Sequence, residues 1–205
     1  MKHLLALVVS TAGIGLASCT HTVSIDYTPT SPGPHAETAQ LPLDVALVIS
    51  EEVSGYQYTK KAMGDTTNYV FGPPLVTYAR DVTSKTFRSV KEFQSTTASR
   101  NQASAILIVR PRKADQTSAS WAFGEARMSL IVEWTMMDAS NQNLLWLHTI
   151  EGQAAERAGN MYTYKTHAKV LFQKLFDDLT NKTIDSFRES PELRKLTTST
   201  SNTPL

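Results

Sequence analysis

Two apolar runs without a polar break stand out along the chain: Val45-Ala46-Leu47-Val48-Ile49 and Ala105-Ile106-Leu107-Ile108-Val109. Runs this short and this apolar are the pattern of strands covered on both faces. Between them Leu75, Ala79, Val82, Thr86 or Phe87, and Val90 recur at helical spacing, with Arg80, Asp81, Lys85 and Arg88 on the other faces. That spacing predicts an amphipathic helix over 74–90. Gly72-Pro73-Pro74 opens it, because proline in a first helical turn gives up an N–H that has no partner there. Strand, helix and strand in this order predict a right-handed crossover with the two strands parallel in one sheet.

Ahead of that helix, 55–60 and 66–71 are rich in Tyr, Thr and Val and flank a Gly64-Asp65 turn, which predicts an inserted hairpin. From Met128 to Met137 the chain alternates, with Leu130, Val132, Trp134 and Met136 on one face and Ser129, Ile131, Glu133 and Thr135 on the other. The polar stretch 138–143 then leads into 144–150 as a second hairpin. A last helix is predicted from Tyr162 to Phe187 on the stripe Ala168, Leu171, Phe172, Leu175, Phe176, Leu179, Thr183, Ile184 and Phe187, closed by Ser190-Pro191. These elements define an α+β two-layer sandwich: a mixed sheet of about five to six strands with two long helices packed on one face.

The ends read differently. After Met1, Lys2 and His3 the chain is apolar to Leu16, the proportions of a secretory signal and too short for a bilayer core of about 30 Å. Residues 1–18 are accordingly read as a signal peptide, and 19–43, with Pro29, Pro32, Pro34 and Pro42, as a flexible spacer. Residues 44–189 form the single domain, and the Ser/Thr-rich 190–205 is expected to be a disordered tail. Leu16-Ala17-Ser18-Cys19 resembles the bacterial lipobox, and Cys19 is the one cysteine in the chain. That resemblance implies that Cys19 receives a diacylglycerol and further acyl chains, palmitate among them, and anchors the protein to a membrane, since two or more chains hold stably where one does not. By similarity to enterobacterial lipoproteins, a residue other than aspartate after the cysteine, here Thr20, implies the outer membrane, facing the periplasm.

Twenty Lys and Arg against nineteen Asp and Glu give a net charge of +1 over 205 residues, with no basic field to draw nucleic acid. One cysteine supplies neither a disulfide framework nor a cysteine zinc site. His3, His21 and His35 precede the domain, and His148 and His167 lack metal-ligand spacing with a carboxylate, so no metal and no cofactor are expected. Gly-x-Ser-x-Gly, Ser-x-x-Lys with partner motifs, Gly-x-Gly-x-x-Gly and the phosphate-loop pattern are absent, and the chain is read as non-enzymatic. If the second hairpin turns between Asp138 and Asn143, Glu133 faces His148. That pair is an acid-base couple or, the favoured reading, a cross-strand ion pair.

On the same pairing Ile131, Thr135 and Met137 share a face with Leu144, Trp146, His148 and Ile150, opposite Val132, Trp134, Met136, Leu145 and Leu147. With both helices on one side this mixed face is uncovered, which makes Trp146 and His148 candidates for partner binding. The competing expectation is that the spacer, the first hairpin or the tail covers it, or that a one-residue register slip moves it. Tyr56 and Tyr58 beside Gly55, and Trp121 and Phe123 beside Gly124, are recognition anchors or packing residues. The whole pattern resembles small periplasmic lipoproteins of Gram-negative bacteria, of the YajG-like and LPS-assembly-lipoprotein groups. The leading reading, which the resemblance alone does not license, is an adaptor or assembly factor that binds another cell-envelope protein through a sheet edge or the uncovered face. The alternative is a carrier of an envelope lipid or glycan, which needs an apolar pocket between helices and sheet, where an adaptor needs a filled core and a flat patch. Oligomeric state is left open.

Overall fold

A computed structural model describes residues 20–30, 40–62, 65–117, 124–157 and 164–200. Cys19, Gly64, Trp121, Phe123 and Tyr162 lie outside these residues. The main sheet has five strands. They are β2 (Leu41–Val48), β5 (Phe87–Phe93), β6 (Ala105–Thr117), β7 (Glu125–Asp138) and β8 (Leu144–Arg157), in the order β5-β2-β6-β7-β8. The two unbroken apolar runs pair in parallel at its centre, Val45 opposite Ala105 and Val48 opposite Ile108, and β6-β7-β8 continue antiparallel. A separate three-stranded sheet, β1-β4-β3, joins β1 (Thr20–Ser24) to the predicted hairpin of β3 (Gln57–Ala62) and β4 (Asp65–Val70). The long helices α2 (Gly72–Thr86) and α4 (Tyr164–Glu189) lie on one face of the five-stranded sheet. Short α1 (Glu51–Ser54), α3 (Thr96–Ser99) and the terminal α5 (Pro191–Thr200) complete the α+β sandwich.

Helices and sheet meet over interlocked rings. Trp134, Phe187, Phe176 and Tyr78 are fully buried, with Trp134 edge-on to Tyr78 at 5.9 Å and to Phe187 at 5.3 Å. A hydrogen-bonded chain threads this cluster. Trp134 Nε1 donates to the Tyr78 hydroxyl at 3.1 Å, Tyr78 meets Thr183 Oγ1 at 2.6 Å, and Thr183 donates to the Leu179 carbonyl at 2.7 Å. Because the Thr183 hydroxyl gives its proton to Leu179, Tyr78 donates to Thr183, and the three polar side-chain groups of this chain are satisfied. Two glycines allow close approaches. A Cβ on Gly152 of β8 would lie 2.9 Å from Leu179 Cβ of α4, and one on Gly72 would lie 1.8 Å from the Ser54 carbonyl oxygen.

Four sequence expectations are corrected. The first helix ends at Thr86, and 87–93 is the edge strand β5. Phe87 and Val90 fit both a helical and a strand spacing, and no glycine or proline marks the switch. The spacer is partly folded: β1 pairs in parallel with β4 from Thr20↔Thr66 to Ser24↔Val70, and Ile25 and Tyr27 are buried. Tyr27 stacks on Phe176 at 4.9 Å and meets Thr180 Oγ1 at 3.2 Å. Its period-two series Val23, Ile25, Tyr27 is what draws this segment onto the domain. Residues 191–200 are helical. Ser190 Oγ accepts from the Leu193 N–H at 3.2 Å, so Ser190-Pro191 caps and opens α5 as well as closing α4.

The fourth correction is the register of the second hairpin. Met137 pairs with Leu144 but Met136 pairs with Trp146, leaving Leu145 as an extra residue in β8. Beyond this bulge every partner moves by one: His148 faces Trp134 and Glu133 faces Thr149. A one-residue shift turns each side chain to the other side of the sheet. Trp146, His148 and Ile150 therefore join the helix-covered side.

Candidate functional site

The bulge decides where the candidate residues stand. Trp146 is 7% exposed, packed on Phe187 at 5.1 Å and stacked on His148 at 5.6 Å with the rings 13° apart. His148 is exposed at the rim. The two border an open cleft of about 460 Å³ whose other walls come from α4 and α5, with Lys182, Asp185, Glu189 and Glu192 among them. Trp146 thus anchors the core, and the uncovered face that was expected to carry it does not contain it.

Glu133, expected opposite His148, stays on the outer face but pairs with Thr149, while His148 moves to the other side. On the outer face Glu133 takes a forked pair from Arg112 Nε at 3.1 Å and Nη2, with Arg110 at 3.9 Å. A second bulge, after Pro111, makes this possible, since Arg112 is the residue without a Cα partner between Pro111↔Val132 and Lys113↔Ile131. His167 Nδ1 stands 3.6 Å from Glu156, whose carboxyl is held below the usual carboxylate range by Lys174 first and His167 second. Both in-fold histidines are therefore placed by packing or ion pairing. Among the described residues no group of three or more His, Cys, Asp or Glu side chains is arranged to hold a metal.

Tyr56 and Tyr58 fasten one sheet to the other. Tyr56 packs on Phe71 at 6.2 Å, Tyr58 stacks on Tyr69 at 5.8 Å, and their hydroxyls meet the β6 backbone at Ala114 and Gln116. Burial pushes both phenols up.

The outer face of the main sheet carries a row to which sequence reasoning assigned Thr135 but not Leu147, which it placed on the other side. Val48, Ile108, Thr135 and Leu147 are successive partners across β2, β6, β7 and β8. Their exposure rises along the row from 3% through 6% and 9% to 52%. Ala46, Ile106 and Ala139 complete a buried outer cluster flanked by Phe93, Ala103 and Met137. The row then runs out at the β8 edge, where Leu147 and the bulge neighbour Leu144, 61% exposed, face solvent. The signal that could have found it is the doublet Leu144-Leu145, a place where strict alternation fails.

This is a helix-on-sheet α+β domain with an apolar outer edge. No protein-family model matches the chain, and no curated protein does. Solved structures resemble its fold. A protein of the DUF330 family from Xanthomonas campestris shares 9% identity at a TM-score of 0.49, covering 82% of this chain and 97% of that one. A minor lipoprotein from Acinetobacter baumannii shares 11% at 0.40, covering 79% and 96%. The PelC dodecamer from Paraburkholderia phytofirmans shares 14% at 0.34, covering 71% and 93%. Likenesses at these scores bring no function with them. No helix among the described residues is long and apolar enough to cross a membrane.

Proposed function

We propose that this chain is a non-enzymatic lipoprotein of the bacterial cell envelope, anchored through Cys19 and acting as an adaptor or assembly factor for another envelope protein. Leu16-Ala17-Ser18-Cys19 supports the anchor, and Thr20 supports the outer membrane, periplasmic side, as its place. The adaptor reading is carried by the contrast between the two sheet faces. The helix side is filled by Tyr78, Trp134, Phe176 and Phe187, all fully buried, where a lipid or glycan carrier would need an apolar cavity. The outer side ends in Leu147 and Leu144, a flat apolar edge of the kind that gains by meeting a partner. Anchoring would raise the effective concentration for a partner held in the same membrane.

The test is a photoreactive residue at Leu147 in the lipidated protein in intact cells. One discrete envelope-protein adduct that Leu144→Asp removes is the expected result. Lipid or glycan adducts, or no adduct, would overturn the adaptor reading.

A further inference from the structure

The start of β1, the facing ends of β3 and β4, the facing ends of β6 and β7 and the end of β8 gather at one end of the molecule. β3 runs alongside β6 in the same direction, because Tyr56 meets Ala114, Tyr58 meets Gln116 and Lys60 Nζ donates to the Gln116 carbonyl at 2.9 Å. The end of β3, at Lys61 and Ala62, is therefore beside the end of β6 at Thr117. β4 returns from that end, starting at Asp65 opposite Ala62, and β1 starts there too, with Thr20 paired to Thr66. β7 leaves the same end at Glu125, and its partner Arg157 brings β8 back to it. Thr20, Lys61, Asp65, Thr117, Glu125 and Arg157 are all exposed.

Cys19 is bonded directly to Thr20, which puts about 3.8 Å between the two Cα atoms. A lipid chain on Cys19 sits in the acyl layer, and the headgroup layer above it is only about 5–8 Å deep. There is no spacer between anchor and fold, because Thr20 is already hydrogen-bonded in a sheet.

We infer that this end of the domain rests on the phospholipid surface, so that the protein stands with its main sheet pointing away from the membrane. The inference rests on the Cys19 anchor proposed above. Among the described strand-end residues Lys61 and Arg157 stand with Asp65 and Glu125, a balance of charge that suits zwitterionic headgroups without requiring anionic lipid. β7 spans 14 residues, which at 3.4 Å per residue sets the Asp138–Asn143 turn about 44 Å from the membrane end. Leu147 stands ten residues along β8 from Arg157, about 34 Å out, where the apolar edge is free to meet a partner in the periplasm.

The experiment uses the full lipidated protein in phosphatidylethanolamine vesicles, with and without phosphatidylglycerol. Because lipidation consumes Cys19, Lys61→Cys, Arg157→Cys and Asn141→Cys each offer one thiol for a fluorophore, read against spin-labelled headgroups. At least twofold stronger quenching at 61 and 157 than at 141, in both lipid mixtures, is expected. A Gly-Ser insertion of about twelve residues between Cys19 and Thr20, adding a reach of about 20 Å, is expected to reduce the quenching at 61. Equal quenching at all three sites in protein whose mass carries the lipid overturns the orientation alone, as does quenching at 61 that survives the insertion. Protein without the lipid mass overturns the anchor and the orientation together.

Discussion

Tyr78 shows how one side chain ties layers together. Its ring lies between Trp134 of the sheet and Phe176 of α4, and its hydroxyl is the middle link from Trp134 Nε1 to Thr183. Tyr78→Phe keeps the ring but leaves the indole N–H buried without an acceptor, a loss of about 1–3 kcal/mol. Chemical denaturation should show that loss with an unchanged slope, since the surface exposed on unfolding stays the same. Tyr27 offers a pH test. Burial, against the Thr180 hydrogen bond, pushes its phenol up to about 12, while an unfolded tyrosine titrates near 10.0. A raised folded pKa means that stability is intact below pH 10 and is lost as pH climbs through 12, because only the unfolded chain ionises in between. Thermal melts across that window should fall steadily, and Tyr27→Phe should flatten part of the fall. The slope that remains belongs to Tyr78, Tyr56 and Tyr58, whose phenols burial also pushes up.

At the scale of elements, the parallel pair β2-β6, the hairpin β3-β4 and the long helix α4 were legible because continuous apolar runs, period-two alternation and a broad helical stripe leave little choice. What was not legible was decided by single residues. Leu145 moves Trp146 and His148 across the sheet, and the Leu144-Leu145 doublet marks a break in alternation without saying which residue is the extra one. Phe87 serves equally as the last helical residue and the first of β5. The spacer misread has another cause: the prolines of 29–42 masked a strand rhythm in 23–27 that only long-range burial against α4 makes pay. The bulge can be tested by deleting Leu145. With it gone Leu144 joins Trp146 directly, the pairings of Met137 with Leu144 and Met136 with Trp146 run on without an extra residue, and Trp146 and Ile150 keep their place on the helix side. The expected outcome is an unmoved tryptophan emission and a loss of no more than about 1.5–3 kcal/mol, the burial of one leucine side chain. A red shift of the emission would mean that the strand slips and Trp146 turns outward.

Over the whole molecule the proposed anchor at Cys19 and the fold are adjacent in sequence yet separable in energy. All the packing that β1 and its continuation contribute begins at Thr20 and culminates at Ile25 and Tyr27, one residue to several beyond Cys19. Cys19→Ala should therefore release the protein from membranes and leave its melting temperature unchanged. Globomycin, which blocks lipoprotein signal cleavage, should leave the unmodified chain as a larger precursor. A Cys19→Ala protein that stays membrane-bound with normal processing would remove the lipid anchor from the picture. Truncation separates the two ends of this segment further. A soluble chain beginning at Thr20 should melt with the Cys19→Ala protein, whereas one beginning at Thr28 loses the strand beside β4 and the burial of Ile25 and Tyr27, about 3–6 kcal/mol together. Equal stability of the two truncations would mean that 20–27 merely lies on the domain. A large gap would mean that the residues directly after the proposed anchor at Cys19 hold the structure together.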